Sequence, residues 1–308
     1  MTAMEKIDKG LNTAYHAPSA EGWSLGNLDF FAVTPRKYTP DDHDVWRTLY
    51  KRQSGILPKR AITQFTDSLS TLGINQTRIP DNDEINSILM SRTGWQIIPV
   101  AGLMPEEPFF ELLANRRFPI GNFIRGKEQL DYLQEPDVFH DLFGHVPILI
   151  DPVFADYMEA FGKGGLKAAK EGTLEKVGRL YWYTVEFGLI QEAQKLHIYG
   201  AGILSSATES VFCLEDPSPN RLKFDLKRCL NTRFQIDDFQ DNYFVIDSFK
   251  QLFEETYKDF APIYKELADK PEYNPGDIVE GDKVIHKGTG AYAREAHKRR
   301  MERAAKKP

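Results

Sequence analysis

Two histidines, His140 and His145, sit five residues apart in the stretch Glu135-Pro136-Asp137-Val138-Phe139-His140-Asp141-Leu142-Phe143-Gly144-His145-Val146-Pro147. Imidazole is a ready ligand for a transition metal. On an ideal helix, five residues turn the chain through roughly 500°, so the two rings would diverge by about 140°. The spacing therefore chelates only if the helix is interrupted. Pro136 suits the first turn, Gly144 suits a left-handed cap and Pro147 opposes continuation, so a helix ending near Phe143 is expected, with the turn at Gly144 bringing His145 beside His140. Glu186 supplies a third group. Its helical neighbours are Trp182, Tyr183, Leu189 and Ile190, an apolar face on which an unpaired carboxylate is costly to bury. It must be protonated, paired with a base, or bound to a cation. Two neutral imidazoles and a carboxylate on one side of a divalent metal leave its other positions open, the facial arrangement of non-haem Fe(II) oxygenases. Zinc hydrolases can use the same ligand types, so these alone do not select the metal. A hydrolase would also need a base beside the metal, and Asp141 is the one near candidate.

The elements that must position these groups read as mainly helical. Thr39-Pro40-Asp41-Asp42 has the form of a helix start, with Trp46, Leu49 and Tyr50 recurring at helical spacing behind it. Further helices are expected over 59–72, 83–93, 109–114, 136–143, 151–169, 174–192, 206–215 and 248–268. Strands are expected at 96–100 and 242–246, and 118–124 reads as strand or loop. Long helices with a few short strands argue for a mainly α fold in a single catalytic domain of packed helices over 31–268. Residues 1–30 read as a mobile N-terminal arm, and 269–308 as a C-terminal extension with a basic tail. From 294 to 308 that tail carries seven Lys/Arg against two Asp/Glu, read as a solvated surface.

Composition narrows the function classes. Hydrophobic residues are 41% and charged residues 27% of 308, which excludes collagen-like, wholly disordered and multi-span membrane chains. A net charge of −6 gives no electrostatic footprint for nucleic acid. No signal-peptide pattern appears in 1–30, and no uninterrupted apolar run could span a bilayer. The two cysteines, Cys213 and Cys229, build no disulfide framework, so a reduced, cytoplasmic protein is expected.

The chain resembles the tetrahydropterin-dependent aromatic amino acid hydroxylases. The resemblance runs from about Thr39 to Phe260 and rests on TPDDHDVWRTLY, IIPVAGL, FIRG, EPDVFHDLFGHVP, YWYTVEFGL, YGAGILSS and YFVIDSF. It implies the hydroxylase fold of that family, Fe(II) and a tetrahydropterin as cofactors, O2 as co-substrate, and an aromatic amino acid as substrate. His140, His145 and Glu186 would hold the iron. Val100, Gly102, Leu103 and Phe109 would form the pterin wall, with Phe109 stacking on the ring and Tyr181 nearby; taken alone, Phe109 reads as core. Arg125 would clamp the substrate carboxylate, with Asp137 fixing its angle. Ser205 would support an iron-binding histidine, and Gly202 would make room for the substrate backbone.

Trp182 and Phe187 would line the pocket for the substrate ring. Tryptophan hydroxylases usually carry Phe at the position of Trp182, and tyrosine hydroxylases carry Asp at that of Val245. Both positions favour L-phenylalanine as substrate, with tryptophan or tyrosine hydroxylation the alternative within the family. Leu133-Gln134 and Asp141 look like the bacterial branch. The regulatory domain and tetramerisation helix of animal members find no counterpart, so a monomer is expected.

Overall fold

A computed structural model describes residues 19–131, 135–236 and 238–305. The arm expected over 1–30 falls mostly outside them, as do Leu133 and Gln134. Helix α1 (Pro40–Ile56) begins where the sequence predicts: Thr39 accepts from the Asp42 N–H, and Asp42 accepts from the Thr39 N–H at 2.8 Å, a reciprocal cap that satisfies otherwise orphaned donors. Its inward stripe includes Val45, Trp46 and Leu49. Helices α2 (Thr63–Thr71) and α3 (Asn82–Thr93) follow. Two short parallel strands, β1 (Gln96–Val100) and β2 (Arg117–Gly121), flank α4 (Glu106–Ala114). The longest helix, α5 (Pro152–Glu171), starts on Asp151, which caps Val153 and Phe154, and stops at Gly172 with φ 69°. Gly162 and Gly165 let it lie directly on α4, since a Cβ at either would collide with Leu113–Ala114 or Phe110.

Helix α6 (Leu174–Tyr181) is followed by a five-stranded mixed sheet. Its strands are β3 (Leu189–Glu192), β4 (Lys195–Ile198), β5 (Asn220–Lys223), β6 (Asn242–Ile246) and β7 (Val284–His286), in the order β4-β3-β6-β5-β7. Strands β3 and β5 pair parallel to the central β6, which is buried throughout, as a strand covered on both faces must be. Between β4 and β5 lie α7 (Ala201–Leu204) and α8 (Glu209–Glu215); α9 (Leu226–Leu230) follows β5. The chain closes with α10 (Phe249–Thr256), α11 (Ala261–Leu267) and α12 (Ala291–Ala305). One apolar core runs from Val45 to Leu267.

The mainly helical reading holds, but several elements differ. The helix expected over 174–192 stops at Glu186, and 189–192 is a strand. That strand turns back through Ala193 and Gln194 at φ 44° and 69°, a tight hairpin built without the Asn-Gly or Gly signal that would announce it. The helix expected over 248–268 breaks into α10 and α11, the second opening at Ala261-Pro262, because proline suits a first turn and not an interior. The helix expected to end near Phe143 does not end there. The chain continues as a π turn from His140 to His145 and then as a 3₁₀ turn from Val146 to Ile150. Gly144 is not among the residues with positive φ, so the left-handed cap expected there does not form.

Candidate metal centre and the surrounding pocket

The π turn resolves the five-residue spacing in another way. The Val146 N–H donates to the Asp141 carbonyl, five residues back. One extra residue is thus accommodated in the turn, and residues five apart come onto one face. Gly144 is what the packing requires: a Cβ there would lie 2.8 Å from the Ala201 carbonyl oxygen and 3.2 Å from the Ala201 Cβ. The turn can therefore close on α7. The same device recurs at Glu186. A π turn over Trp182–Glu186 ends α6, with the Phe187 N–H donating to the Trp182 carbonyl at 2.9 Å. Gly188 and Gly200 pack close by, and a Cβ on Gly200 would sit 2.5 Å from the Glu186 carbonyl oxygen.

The three side chains converge. His140 Nε2 and His145 Nε2 are 3.1 Å apart, Glu186 Oε1 is 3.0 Å from His145 Nε2, and Glu186 Oε2 is 3.6 Å from His140 Nε2. Among the described residues, these are the only His, Cys, Asp and Glu side chains brought together as a possible metal site, their ligand atoms all within 4.8 Å of one another. Edges of this length belong to one face of a coordination polyhedron with metal–ligand distances of about 2.1 Å. The tautomer also fits. Ser205 Oγ donates to the Ala201 carbonyl at 2.8 Å and lies 2.9 Å from His140 Nδ1. With its own proton committed, it accepts the Nδ1–H and leaves the Nε2 lone pair facing the other ligands.

Electrostatics point the same way. Burial pulls the His140 pKa down to about 4, so that ring is neutral near pH 7 and able to ligate. Burial also opposes a proton on His145, but the Glu186 carboxylate outweighs it and raises the pKa. Burial would raise Glu186, yet His145 and His140 hold it low. A carboxylate between two imidazoles, with one ring drawn towards its charged form, is a site that lacks positive charge. A divalent cation held by His140, His145 and Glu186 would supply it in place of the proton.

Several of the predicted residues are joined by direct contacts, some of which reach this centre. Arg125 and Asp137 form a buried two-point pair, Nε to Oδ2 and Nη2 to Oδ1, both 2.8 Å. Burial opposes the Asp137 charge, but the guanidinium holds its pKa below the usual carboxylate range. Asp137 Oδ1 also accepts the His140 N–H at 3.0 Å, which ties the pair to the candidate ligand. Val100 ends β1, Gly102 and Leu103 follow it, and Phe109 lies on α4. The Phe109 ring meets Tyr181 edge-on at 5.5 Å, and Tyr181 lies 6.2 Å from the His145 ring. A path of rings thus leads from the predicted pterin wall to the ligands. Trp182 packs against Phe187 at 4.8 Å and stacks on Phe234 at 4.5 Å. Gly202 lies against Phe187 and Glu186, where a Cβ would approach to 2.9 Å and 3.1 Å. Val245 is fully buried in β6, in register with Leu189 and Lys223.

One neighbour carried no distinctive sequence signal. Phe118 on β2 lies 4.9 Å from the His145 ring, and only its place in an apolar strand hinted at it. Asp141 points away from solvent and accepts the Gly121 N–H at 2.7 Å; burial raises its pKa to about 7.

A family model described as "Biopterin-dependent aromatic amino acid hydroxylase" matches residues 31–277. The phenylalanine-4-hydroxylase of Ralstonia nicotianae is 57% identical over 262 residues, covering 85% of this chain and 84% of the relative. A crystal structure of Chromobacterium violaceum phenylalanine hydroxylase with bound iron(III) and oxidised cofactor 7,8-dihydrobiopterin superposes with a TM-score of 0.80 at 53% identity, covering 88% of this chain and 100% of that one. A structure of the same enzyme with iron and phenylalanine bound also gives 0.80 at 53% identity, covering 86% and 97%.

Proposed function

The chain belongs to the biopterin-dependent aromatic amino acid hydroxylases, and from that premise we infer what its residues do. It is a pterin-dependent monooxygenase that converts L-phenylalanine to L-tyrosine with O2, a tetrahydropterin and non-haem iron. The observation that carries the assignment to this site is the convergence of His140, His145 and Glu186 beside the Arg125–Asp137 pair. When bound, the iron and the reduced pterin together supply the two-electron activation of O2 that ring hydroxylation requires. The protein's part is positioning and exclusion.

Ser205 holds the proton of His140 on Nδ1. Asp137 occupies the Nε–Nη2 edge of Arg125, which leaves the Nη1 side of the guanidinium to take the substrate carboxylate. Trp182, Phe187 and Val245 form the ring-binding wall, and Gly202 keeps it clear of a side chain. Phe109 offers its face to the pterin, the backbone around Val100, Gly102 and Leu103 meets the ring edge, and Tyr181 closes the space towards His145. The zinc-hydrolase alternative is weakened at its base: the Asp141 carboxyl is committed to the Gly121 amide and drawn towards its neutral form.

Residues 31–268 form the catalytic body and 269–308 the extension; the core from Val45 to Leu267 supports this division, while the extension packs back on the body through β7 and Tyr292. A monomer and a cytoplasmic location complete the proposal. The first rests on the family resemblance. The second is supported by two free, buried cysteines; no helix among the described residues is long and apolar enough to cross a membrane. Product analysis with phenylalanine, tyrosine and tryptophan, each with Fe(II), tetrahydropterin and O2, tests the assignment. Tyrosine from phenylalanine is expected, together with loss of iron and turnover in His140→Ala. Full activity in metal-depleted His140→Ala would reject it.

A further inference from the structure

Trp182 is 8% exposed, so its indole N–H needs a buried acceptor. That acceptor comes from far along the chain: Gln240 Oε1 receives the N–H at 2.9 Å, and Gln240 is itself 1% exposed. The amide is not free to turn. Gln240 Nε2 donates to the Gln235 carbonyl at 3.0 Å, which fixes which end of the group faces the indole. Nor does Gln240 float with its loop. Next to it, the Phe239 ring packs on Phe212 at 4.7 Å and on Tyr292 of α12 at 5.2 Å. The Tyr292 hydroxyl donates to the Asp238 carboxylate. The loop before β6 is thus held from outside by the C-terminal helix, and it reaches inward to a single polar atom of the aromatic wall.

We propose that Gln240 is a positioning residue for substrate recognition, which fixes the direction of the Trp182 indole N–H, hence the rotation of the ring within its aromatic stack, and so the shape of the wall offered to the aromatic ring of the amino acid. The inference rests on the reading that Trp182 lines that wall. An indole can pivot about two side-chain bonds, and ring contacts with Phe234 and Phe187 restrain its tilt but not the direction of its N–H. One directional bond to a fixed amide does so. Loss of that bond leaves the buried N–H unsatisfied and favours a rotated ring. Substrate binding then suffers while iron and pterin, held by other residues, do not.

Steady-state kinetics of the iron-loaded enzyme with tetrahydropterin, run on Gln240→Leu, Trp182→Phe and the double variant, test this. Gln240→Leu should raise the phenylalanine KM by about 3- to 10-fold, the size of one buried hydrogen bond, with the pterin KM and the iron content unchanged. Trp182→Phe, which has no N–H to hold, should change the phenylalanine KM or the preference between phenylalanine and tryptophan. In that background, Gln240→Leu should add nothing. Gln240→Asn keeps the amide but draws the acceptor back; it should reproduce the KM rise and serves if the leucine variant fails to fold. A phenylalanine KM unaltered in both Gln240 variants, or a Gln240 effect that persists undiminished without the indole, would overturn the inference alone. Unchanged KM and preference in Trp182→Phe would overturn the placement of Trp182, and the inference with it.

Discussion

At the scale of single residues, the candidate metal centre depends on groups outside the His140, His145 and Glu186 cluster. Ser205 sets the tautomer of His140 through one hydroxyl, already bonded to the Ala201 carbonyl. Ser205→Ala leaves the Nδ1–H without its acceptor and the ring free to turn. We expect ferrous affinity to drop by about 10- to 100-fold, read by equilibrium iron titration; an unaltered binding curve would remove Ser205 from this role. Arg125 works under a similar constraint. Its Nε–Nη2 edge is committed to Asp137, so the geometry offered to a carboxylate is set by a buried pair and not by the arginine alone. A lysine cannot make both contacts. Arg125→Lys should raise the phenylalanine KM by about tenfold or more, with the pterin KM little changed. A KM equal to the parent's would show that the carboxylate binds elsewhere.

At the scale of elements, the two π turns decide whether a site exists. A regular helix through His140 and His145 would point the rings apart, and a regular end to α6 would present Glu186 on another face. Both turns are held open by backbone that packs where a side chain would otherwise be. Gly144 is the sharpest case, because an added Cβ meets the Ala201 carbonyl at 2.8 Å. Gly144→Ala must push the π turn off α7, and His145 moves with it. The expected result is a loss of about 1–3 kcal/mol of stability, the usual range for overpacking, together with reduced iron content. Urea denaturation and metal analysis on the same preparation measure both. A destabilised protein that keeps full iron affinity would show that the turn does not transmit strain to His145.

At the scale of the whole molecule, buried polar groups tie distant stretches together and leave a signature in stability against pH. Glu209 on α8 accepts the Tyr243 hydroxyl of β6 at 2.7 Å and the backbone N–H of Gln240 at 3.4 Å. Burial drives its pKa up from 4.5 to about 7, although both hydrogen bonds oppose this. Folding therefore favours the protonated acid. Its contribution is complete below the unfolded value of 4.5 and is lost as pH rises through about 7. Glutamine stays neutral throughout. Glu209→Gln should thus gain stability relative to the parent between about pH 5 and about pH 8, as read from urea midpoints. Asp141, raised in the same direction by burial, remains in both proteins and cancels in the difference. A gap between the two proteins that does not vary with pH would mean that Glu209 does not titrate in this window.

The candidate ligand types follow from residue identity alone, because their chemistry is carried by the side chain: His140, His145 and Glu186 are candidates before any fold is known. The sequence also sets the start of α1, whose Thr39–Asp42 cap is a matter of neighbours in the chain, and the apolar runs that became β1 and β6. What it left open is whatever depends on contact between distant segments. The turn at Gly144 reads locally as a left-handed cap, yet the glycine is there because Ala201, 57 positions later in the chain, needs the space. At 189–192 a short apolar run suits helix and strand alike, and only pairing with β6 and β4 chooses between them. Gln240 has no local feature that links it to Trp182. Periodicity and caps report the bonds a segment makes with itself, whereas a five-residue turn, a strand order and an acceptor for a buried N–H are selected by what the rest of the chain brings against them, and that selection was made only in the folded molecule.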